Sequence, residues 1–217
     1  MLISKTPLRV SFFGGITDLR EYYKHDYGCV LSTAIDKFIY IMVNKTFDER
    51  IQLNYRMTEI VQHADEIFHP TIREAVKLVG ISGGFELSAQ ADIPAHGTGL
   101  GSSSSFVVGV LNALHNFSGH KASAEELAQE ACKIEIEVLR EPIGKQDQYI
   151  AAYGGFKFIK FLKDERVEVE AIHLKPEVQS ELESNLMFFY TGIARTTKQV
   201  LAPQRENLPD KMQSVHR

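Results

Sequence analysis

A glycine- and serine-rich stretch, PAHGTGLGSSSSF, occupies residues 94–106 of the 217-residue chain. Its three glycines allow the backbone to turn several N–H groups toward one point. A helix that starts at about Ser102 adds unpaired N–H donors and the positive end of its dipole, so the stretch predicts an anion site. The serine hydroxyls can add hydrogen bonds, and one can bind magnesium through oxygen. We interpret this as nucleotide phosphate chemistry; the alternative is a flexible surface loop with a serine-capped helix.

Two common phosphate-binding loops are excluded by the spacing of the residues. A P-loop requires GxxxxGK[ST], whereas the Gly144-Lys145 pair is followed by Gln146. The dinucleotide fingerprint requires GxGxxG and an acidic residue about 20 positions further on. Here the glycines run GxGxG, and the sequence near residue 120 is HKAS. A different kind of loop is therefore expected to hold the phosphates.

Two further stretches carry groups that suit phosphoryl transfer. PLRVSFFGGITD, residues 7–18, reads as a strand that enters a Gly-Gly turn, and EPIGKQDQY, residues 141–149, contains Asp147. A positioned carboxylate can take the proton of a sugar hydroxyl as the bond to phosphorus forms. Taken singly, each stretch is also explained as an ordinary turn with a solvated aspartate, so the hypothesis depends on their joint occurrence.

PLRVSFFGGITD, GLGSSSSF and PIGKQDQY together resemble the motifs of the GHMP kinases, the family of galactokinase and of homoserine, mevalonate and phosphomevalonate kinases. Within that family the combination is most similar to the D-glycero-D-manno-heptose 7-phosphate kinases, and L-fucokinase-like proteins are close neighbours. Gly15 and Ile16 stand where galactokinases have a Glu-His pair, which disfavours galactose as the substrate.

The resemblance implies ATP and Mg²⁺ as cofactors and direct in-line transfer to the anomeric hydroxyl of a sugar phosphate. It implies Asp147 as the catalytic base and Arg9 as the basic residue that holds Asp147 ionised. The residues implied to bind the nucleotide are Gly97, Thr98, Gly99, Leu100, Gly101, Ser102, Ser103 and Ser104. Those implied to bind the sugar are Gly14, Gly15, Thr17 and Asp18.

The magnesium ligands implied by the resemblance are Ser103 and Glu135, the glutamate seven positions before Pro142. Helical spacing supports Glu135 over Glu137, because it places Glu135 on the inward flank of an apolar stripe and Glu137 on the charged flank. A buried carboxylate requires a cation or a basic partner. The stripe consists of Leu127, Ala131, Ile134 and Val138.

Alternating and apolar runs predict strands at residues 29–43, 85–93 and 156–162, with coverage of both faces from Phe38 on. Helices are predicted from Pro70 to Gly80, from the serines to about Ser118, and from a capping box at Ser123. The resulting class is α+β. The resemblance implies the GHMP kinase fold: a mixed sheet with helices like domain 2 of ribosomal protein S5, then the start of a ferredoxin-like domain.

The domain boundary is expected near residues 172–180, so residues 1–175 form an ATP- and sugar-binding domain and residues 176–217 begin a second domain. The apolar run at residues 186–192 predicts a strand there, and Arg195 is a candidate for the substrate's distal phosphate. The family's third, glycine-rich motif has no counterpart before Arg217. A non-catalytic fragment that binds ATP or sugar, or one that oligomerises, is therefore an alternative to an active kinase.

The charge balance, 24 Lys+Arg against 28 Asp+Glu, gives a net charge of −4, which predicts small-molecule partners rather than nucleic acid or membranes. Cys29 and Cys132 are two isolated thiols without metal-ligand or CxxC spacing. Such cysteines fit a protein of a reduced compartment better than a disulfide-bonded secreted fold. The N-terminus has neither a signal-peptide pattern nor an apolar run of about 20 residues. We therefore expect a cytoplasmic protein; a homo-oligomer remains open.

Overall fold

A computed structural model describes residues 1–93 and 98–189. Within these residues the strands are β1 (Leu2–Phe13), β2 (Gly28–Lys45), β3 (Ile51–Asn54), β4 (Thr58–Val61), β5 (Phe85–Ala91), β6 (Phe156–Phe161) and β7 (Val167–Ala171). They form one sheet with the order β4-β3-β5-β2-β6-β7, and β1 pairs with β2 beside this path. The pairing of β3 with β5 is parallel, and the others are antiparallel.

Strand β2 is the axis of this sheet. One of its edges pairs with β1 along most of its length, while β6 and β5 pair with successive halves of the other edge. Ile39, Ile41 and Val43 are buried, whereas the residues between them are only half-buried. The prediction of a strand was therefore right, but only one face of its second half is fully covered.

The described ranges contain six α-helices: α1 (Arg20–Tyr23), α2 (Pro70–Val79), α3 (Ser102–Phe117), α4 (Ala124–Cys132), α5 (Gln146–Tyr153) and α6 (Pro176–Ser184). Helix α2 begins at its proline after His69, whose side chain accepts a hydrogen bond from the Ile72 amide, and ends at Gly80 in the left-handed region. Helix α4 begins with the predicted capping box of Ser123 and Glu126. The local signals for these helices were read correctly.

Helix α3 packs across β1 and β2 and also contacts α2, α4 and α5. Its buried positions join the sheet's inner face in the main hydrophobic core, with Leu111 and Leu114 fully enclosed. Because Ser102 is the first residue of α3, the burial of the rest of the helix fixes the position of its N-terminal end. The core thus positions the glycine-rich loop that precedes α3.

The segment that follows α4 is a π-helix, Lys133–Val138. Its wider turn changes the spacing of side chains, so the predicted apolar stripe does not continue through it. Ile134 is buried, but Val138 is 48% exposed, which corrects the prediction for Val138. Glu135 is buried and Glu137 is exposed, as the sequence predicts.

Residues 176–189 carry few contacts to the sheet. Helix α6 has no buried residues. Residues 186–189, predicted as the start of a strand, have no regular secondary structure and are exposed. The rest of that predicted strand and Arg195 lie outside the described residues. In the described part of the chain, no helix combines the length and apolar character needed to cross a membrane.

The π-helix generates a matched prediction for stability. Ile134→Ala removes a side chain from the core and should lower the free energy of unfolding by about 2–5 kcal/mol. Val138→Ala, on the same predicted stripe, should change it by only about 0.5 kcal/mol, because Val138 is largely in solvent. Urea unfolding of both variants measures the difference. Equal losses would contradict the π-helical arrangement.

Candidate active site

The site is organised around an ion pair between Arg9 on β1 and Asp147 in the first turn of α5. Arg9 Nε donates to Asp147 Oδ1 at 2.7 Å, and Arg9 Nη2 donates to Oδ2 at 2.8 Å. Two parallel charge-assisted bonds of this kind fix both position and orientation. Their side chains are 13% and 24% exposed, so the carboxylate remains accessible from one side.

Arg9 also holds the glycine-rich loop. Its Nη1 donates to the carbonyl of Gly99 at 2.7 Å, and its backbone N–H donates to the carbonyl of Leu100 at 3.1 Å. Leu100 is itself buried in the core. A Cβ on Gly101 would lie 3.1 Å from Arg9 Cγ, so the loop runs directly over the arginine. One side chain therefore links the loop to Asp147.

The loop leads into α3 through two glycines in the left-handed region, Gly99 with φ 70° and Gly101 with φ 71°. The first helical bond runs from the Ser105 amide to the Gly101 carbonyl at 3.0 Å. The amides of residues 102–104 therefore have no partner within the helix, the geometry expected of an anion site. The hydroxyl of Thr98 is buried and has no hydrogen-bond partner among the described residues; Gly97 lies outside them.

Glu135 faces the start of α3 and is 2% exposed. Ser103 Oγ donates to its Oε1 at 2.9 Å, and Ser104 Oγ donates to Oε2 at 2.7 Å. Gln148 Nε2 also donates to Oε2, at 2.5 Å. Burial raises the pKa of Glu135 to about 7; the three hydrogen bonds oppose that rise, and the charge of Asp147 adds to it.

These groups fit a magnesium ion. Within residues 1–93 and 98–189, no three His, Cys, Asp or Glu side chains come together as a metal site. Mg²⁺ usually takes one or two carboxylates and completes its shell with water and substrate phosphate, so Glu135 and the Ser103 oxygen are a sufficient protein contribution. Gln148 Oε1 is buried close by without a hydrogen-bond partner, which adds another oxygen to the site.

Asp18 lies on the other side of Asp147 and is 3% exposed. The amide of Gln146 donates to Asp18 Oδ2 at 3.1 Å, and Gln146 Nε2 reaches Oδ1 at 3.4 Å. Burial raises the pKa of Asp18 to about 6; the negative charge of Asp147 contributes to the rise, and the Gln146 amide opposes it. The negative charge of Asp147 thus raises the pKa of two buried carboxyls, Asp18 and Glu135.

The turn before Asp18 is tightly held. A Cβ on Gly14, which has φ 85°, would lie 1.9 Å from the Cys29 carbonyl oxygen, so only glycine fits. The Thr17 hydroxyl bonds the turn itself: it is within 2.7 Å of the Gly14 carbonyl and 2.8 Å of the Cys29 carbonyl. Gly15 faces open space. Ile16, a β-branched residue, is at φ 81°, a strained backbone position of the kind found in functional sites.

A second charged cluster, centred on Glu165, adjoins the site. Glu165, in the turn between β6 and β7, contacts Arg20 Nε at 3.0 Å, Lys24 Nζ at 2.9 Å and Lys145 Nζ at 2.7 Å. Tyr23 also donates its hydroxyl to Glu165 at 2.6 Å. Partial burial would raise the pKa of Glu165, but hydrogen bonds from Lys145, Tyr23 and Lys24 outweigh burial and lower it to about 2.

The structure brings Arg9, Asp147, Glu135 and Asp18 together with the described part of the loop. It adds two amide side chains that the sequence analysis did not single out, Gln146 at Asp18 and Gln148 at Glu135. Their signal was present in KQDQ, where an amide stands on each side of the aspartate. Polar residues that flank a site residue at the start of a helix are candidates for hydrogen bonds to the neighbouring carboxylates.

Comparison with known proteins places the chain among phosphotransferases. Residues 55–155 match the GHMP kinases N terminal domain. The chain is 31% identical over 227 residues to the D-glycero-alpha-D-manno-heptose 7-phosphate kinase of Campylobacter jejuni, and 28% identical over 238 residues to an L-fucokinase/L-fucose-1-P guanylyltransferase of Bacteroides fragilis. A solved D-glycero-D-manno-heptose 1-phosphate kinase from Bacteroides thetaiotaomicron superimposes with a TM-score of 0.83 at 26% identity.

These matches cover nearly all of this chain but only part of each relative. The shares of this chain are 98% for the Campylobacter kinase, 91% for the Bacteroides fragilis enzyme and 99% for the solved structure. The corresponding shares of those proteins are 67%, 24% and 73%. The chain therefore spans about two thirds of the length of the heptose kinase that it resembles.

The raised pKa of Asp18 predicts a pH-dependent stability. Between pH 3.8, the ordinary pKa, and about 6, Asp18 binds more protons in the folded state than in the unfolded state, so the contribution of Asp18 to stability falls as the pH rises through this window and then levels. The contribution of Asp18 is on the order of 3 kcal/mol. Asp18→Asn should remove it from urea-unfolding profiles measured at pH 4–8 in chelator.

Asp36, whose side chain is 91% exposed, supplies the control for this measurement. Asp36→Asn should keep the wild-type profile. A profile for Asp18→Asn that runs parallel to the wild type would show that the carboxyl of Asp18 is not buried in the folded chain.

Proposed function

Because the chain belongs to the GHMP kinase family, we propose that it transfers the γ-phosphoryl group of ATP directly to the anomeric hydroxyl of a heptose 7-phosphate or a closely similar sugar phosphate. The observation that carries the proposal is the paired hydrogen bond from Arg9 to Asp147, made by the same arginine that holds the Gly99 carbonyl. A proton acceptor and a phosphate loop are thus fixed to each other. That is the juxtaposition that phosphoryl transfer to a hydroxyl requires.

Asp147 is the general base in this proposal. It takes the proton of the attacking hydroxyl as the new bond to phosphorus forms and the bond to ADP breaks. Arg9 donates to both oxygens of Asp147 and so orients the carboxylate toward the substrate. The start of α5 adds a favourable dipole for a negative charge at this position.

The loop from Gly97 to Ser104 binds the nucleotide phosphates in this proposal, with the free amides of the first α3 turn as donors. Ser103 and Glu135 hold the magnesium ion. When bound, the ion neutralises charge that develops on the phosphate oxygens. The chain's own contribution is to present two oxygen ligands that are bonded to each other, Ser103 Oγ and Glu135 Oε1, with the Glu135 carboxylate held further by Ser104 and Gln148.

Asp18 binds sugar hydroxyls in this proposal, and the turn of Gly14, Gly15 and Thr17 shapes the pocket around it. The strained backbone of Ile16 and the hydrogen bonds of Thr17 within the turn support the view that the turn serves to position Asp18 rather than stability alone. Thr17 then acts through the shape of the turn, because its hydroxyl is already bonded to backbone atoms.

A phosphorylated sugar is favoured over a free one by the cluster at Glu165. Three cationic groups share this single carboxylate, so the cluster itself has a surplus of positive charge. Two of them, Arg20 and Lys24, are 69% and 38% exposed. The cluster begins two residues after Asp18 and, through Lys145, two residues before Asp147, so an anion at the far end of the substrate would meet it.

Two alternatives remain. An L-fucokinase-like activity uses the same base and phosphate loop on an unphosphorylated sugar, and the Glu165 cluster argues against it. A non-catalytic fragment that binds ATP or sugar is the other, and the intact pairing of Arg9 and Asp147 argues against loss of catalysis. We also propose residues 1–175 as the ATP- and sugar-binding domain, residues 176–217 as the start of a ferredoxin-like domain, and a cytoplasmic location; a homo-oligomer remains open.

The first test of this proposal is the base. The chain is assayed for ADP release with ATP, Mg²⁺ and a panel of heptose 7-phosphate, heptose, L-fucose and galactose. Asp147→Asn should lower kcat with the preferred sugar by about 10²–10⁴-fold, because proton transfer is lost. Asp36→Asn, an exposed change of the same type, should leave kcat unaltered.

Unchanged turnover in Asp147→Asn would refute its role as base. Nucleotide and sugar binding in calorimetry without ADP release from any sugar of the panel would favour the non-catalytic alternative. Turnover of L-fucose in preference to heptose 7-phosphate would instead favour the L-fucokinase-like activity.

The second test concerns the phosphate end of the substrate. The double variant Arg20→Gln/Lys24→Gln should raise KM for the sugar phosphate about tenfold and leave KM for the free sugar and for ATP unchanged, because only the phosphate loses its cations. Lys163→Gln, in the same turn as Glu165, serves as the control. Parallel increases in KM for both sugars would place the phosphate elsewhere.

A further inference from the structure

Gln148 lies between two carboxylates of the site, Asp147 and Glu135, and has no role of its own in the proposed function. It is fully buried and follows Asp147 directly on α5. Successive residues of a helix point about 100° apart, so Asp147 contacts Arg9 while Gln148 contacts Glu135. The same helical turn therefore holds a group for the proposed base and a group for the proposed metal ligand.

The amide of Gln148 is used on one side only. Its Nε2 donates to Glu135 Oε2 at 2.5 Å, whereas its Oε1 is inaccessible and has no hydrogen-bond partner among the described residues. Bond lengths within the amide keep Oε1 within about 5 Å of the Glu135 carboxylate. A buried carbonyl oxygen without a partner is costly and rare, so this acceptor calls for a donor that binds with the ligands.

We propose that Gln148 is a positioning residue of the metal site: its N–H fixes the Glu135 carboxylate, and its Oε1 accepts a hydrogen bond from a water molecule carried by the divalent cation. The inference rests on the proposed function, since it assumes a cation between Glu135 and the nucleotide. Mg²⁺ keeps several of its waters when it binds to protein, and the hydrogens of such a water point outward toward acceptors. Gln148 thereby contacts the hydrated ion through its Oε1. Ser104 also orients Glu135, through its hydrogen bond to Oε2.

A purely structural glutamine would leave no polar atom unused. Glu135 already receives a hydrogen bond on each oxygen from Ser103 and Ser104, so Gln148 is not needed to satisfy the carboxylate. A leucine of similar length could fill the same space in the core. The retained amide, bonded on one side and without a partner among the described residues on the other, is explained by a partner that arrives with the cation.

The test measures metal binding directly. Mn²⁺, which gives an electron paramagnetic resonance signal when free in solution, is titrated into the chain with a non-hydrolysable ATP analogue. Gln148→Leu should raise the Mn²⁺ dissociation constant by at least tenfold, the effect typical of residues that orient metal ligands. Gln129→Leu, an exposed glutamine on α4 that bonds Glu125, should bind Mn²⁺ as the wild type does.

The readouts separate positioning from folding and from the proposed function. Gln148→Leu should raise KM for Mg²⁺ and leave KM for the sugar unchanged, which a general loss of packing would not do. Mn²⁺ affinity within threefold of the wild type in Gln148→Leu would overturn the inference and leave the kinase proposal intact. A wild-type chain that takes up no Mn²⁺ with the nucleotide would contradict both.

A second variant keeps the inference testable if Gln148→Leu does not fold. Gln148→Met preserves length and volume but has no amide, and it should show the same loss of Mn²⁺ affinity with a circular dichroism spectrum like that of the wild type. Gln148→Asn keeps the amide but withdraws it by one carbon, so its affinity should also fall. Wild-type affinity in either folded variant would overturn the inference.

Discussion

The bidentate ion pair of Arg9 and Asp147 is the contact on which the rest of the site depends. It joins the first strand to a helix 138 residues later in the chain, and the same guanidinium holds the Gly99 carbonyl. Asp147 is bonded to this arginine, and the charge of the arginine also opposes the rise that burial causes in the pKa of Asp18. The loss of the arginine would leave partly buried negative charge without compensation, which is strongly destabilising in proteins. The arginine is therefore both the electrostatic partner of two carboxylates and the link between the loop and Asp147.

Burial, together with the negative charge of Asp147, explains why two acids in the site hold protons more tightly than usual. Asp18 and Glu135 both have raised pKa values, chiefly through burial and further through the charge of Asp147. A fold selected for stability alone would avoid this arrangement. In the proposed function, cations and polar substrate groups would offset this cost when they bind.

One short segment distributes its side chains among all the parts of the site. The four consecutive residues of KQDQ each reach a different charged partner, and two of those partners belong to the first 20 residues of the chain. The pairs are Lys145 with Glu165, Gln146 with Asp18, Asp147 with Arg9, and Gln148 with Glu135. A helix start suits this task because its first turn projects successive side chains in different directions. The proposed base, the carboxylate proposed to bind the sugar and the carboxylate proposed to bind the metal are thereby fixed relative to one another.

The sequence by itself predicted the local features of this protein: the helix that begins at Ser102, the glycine-rich loop before it, and the strand before that loop. It also predicted that Glu135 rather than Glu137 is buried, and both residues lie in the π-helix after α4, whose spacing differs from that of an α-helix. Only the tertiary structure showed the cluster at Glu165 and the contacts of Gln146 and Gln148. It also showed that the π-helix leaves Val138 in solvent. Such contacts join residues far apart in the chain, and no local preference of the backbone specifies which of them will meet.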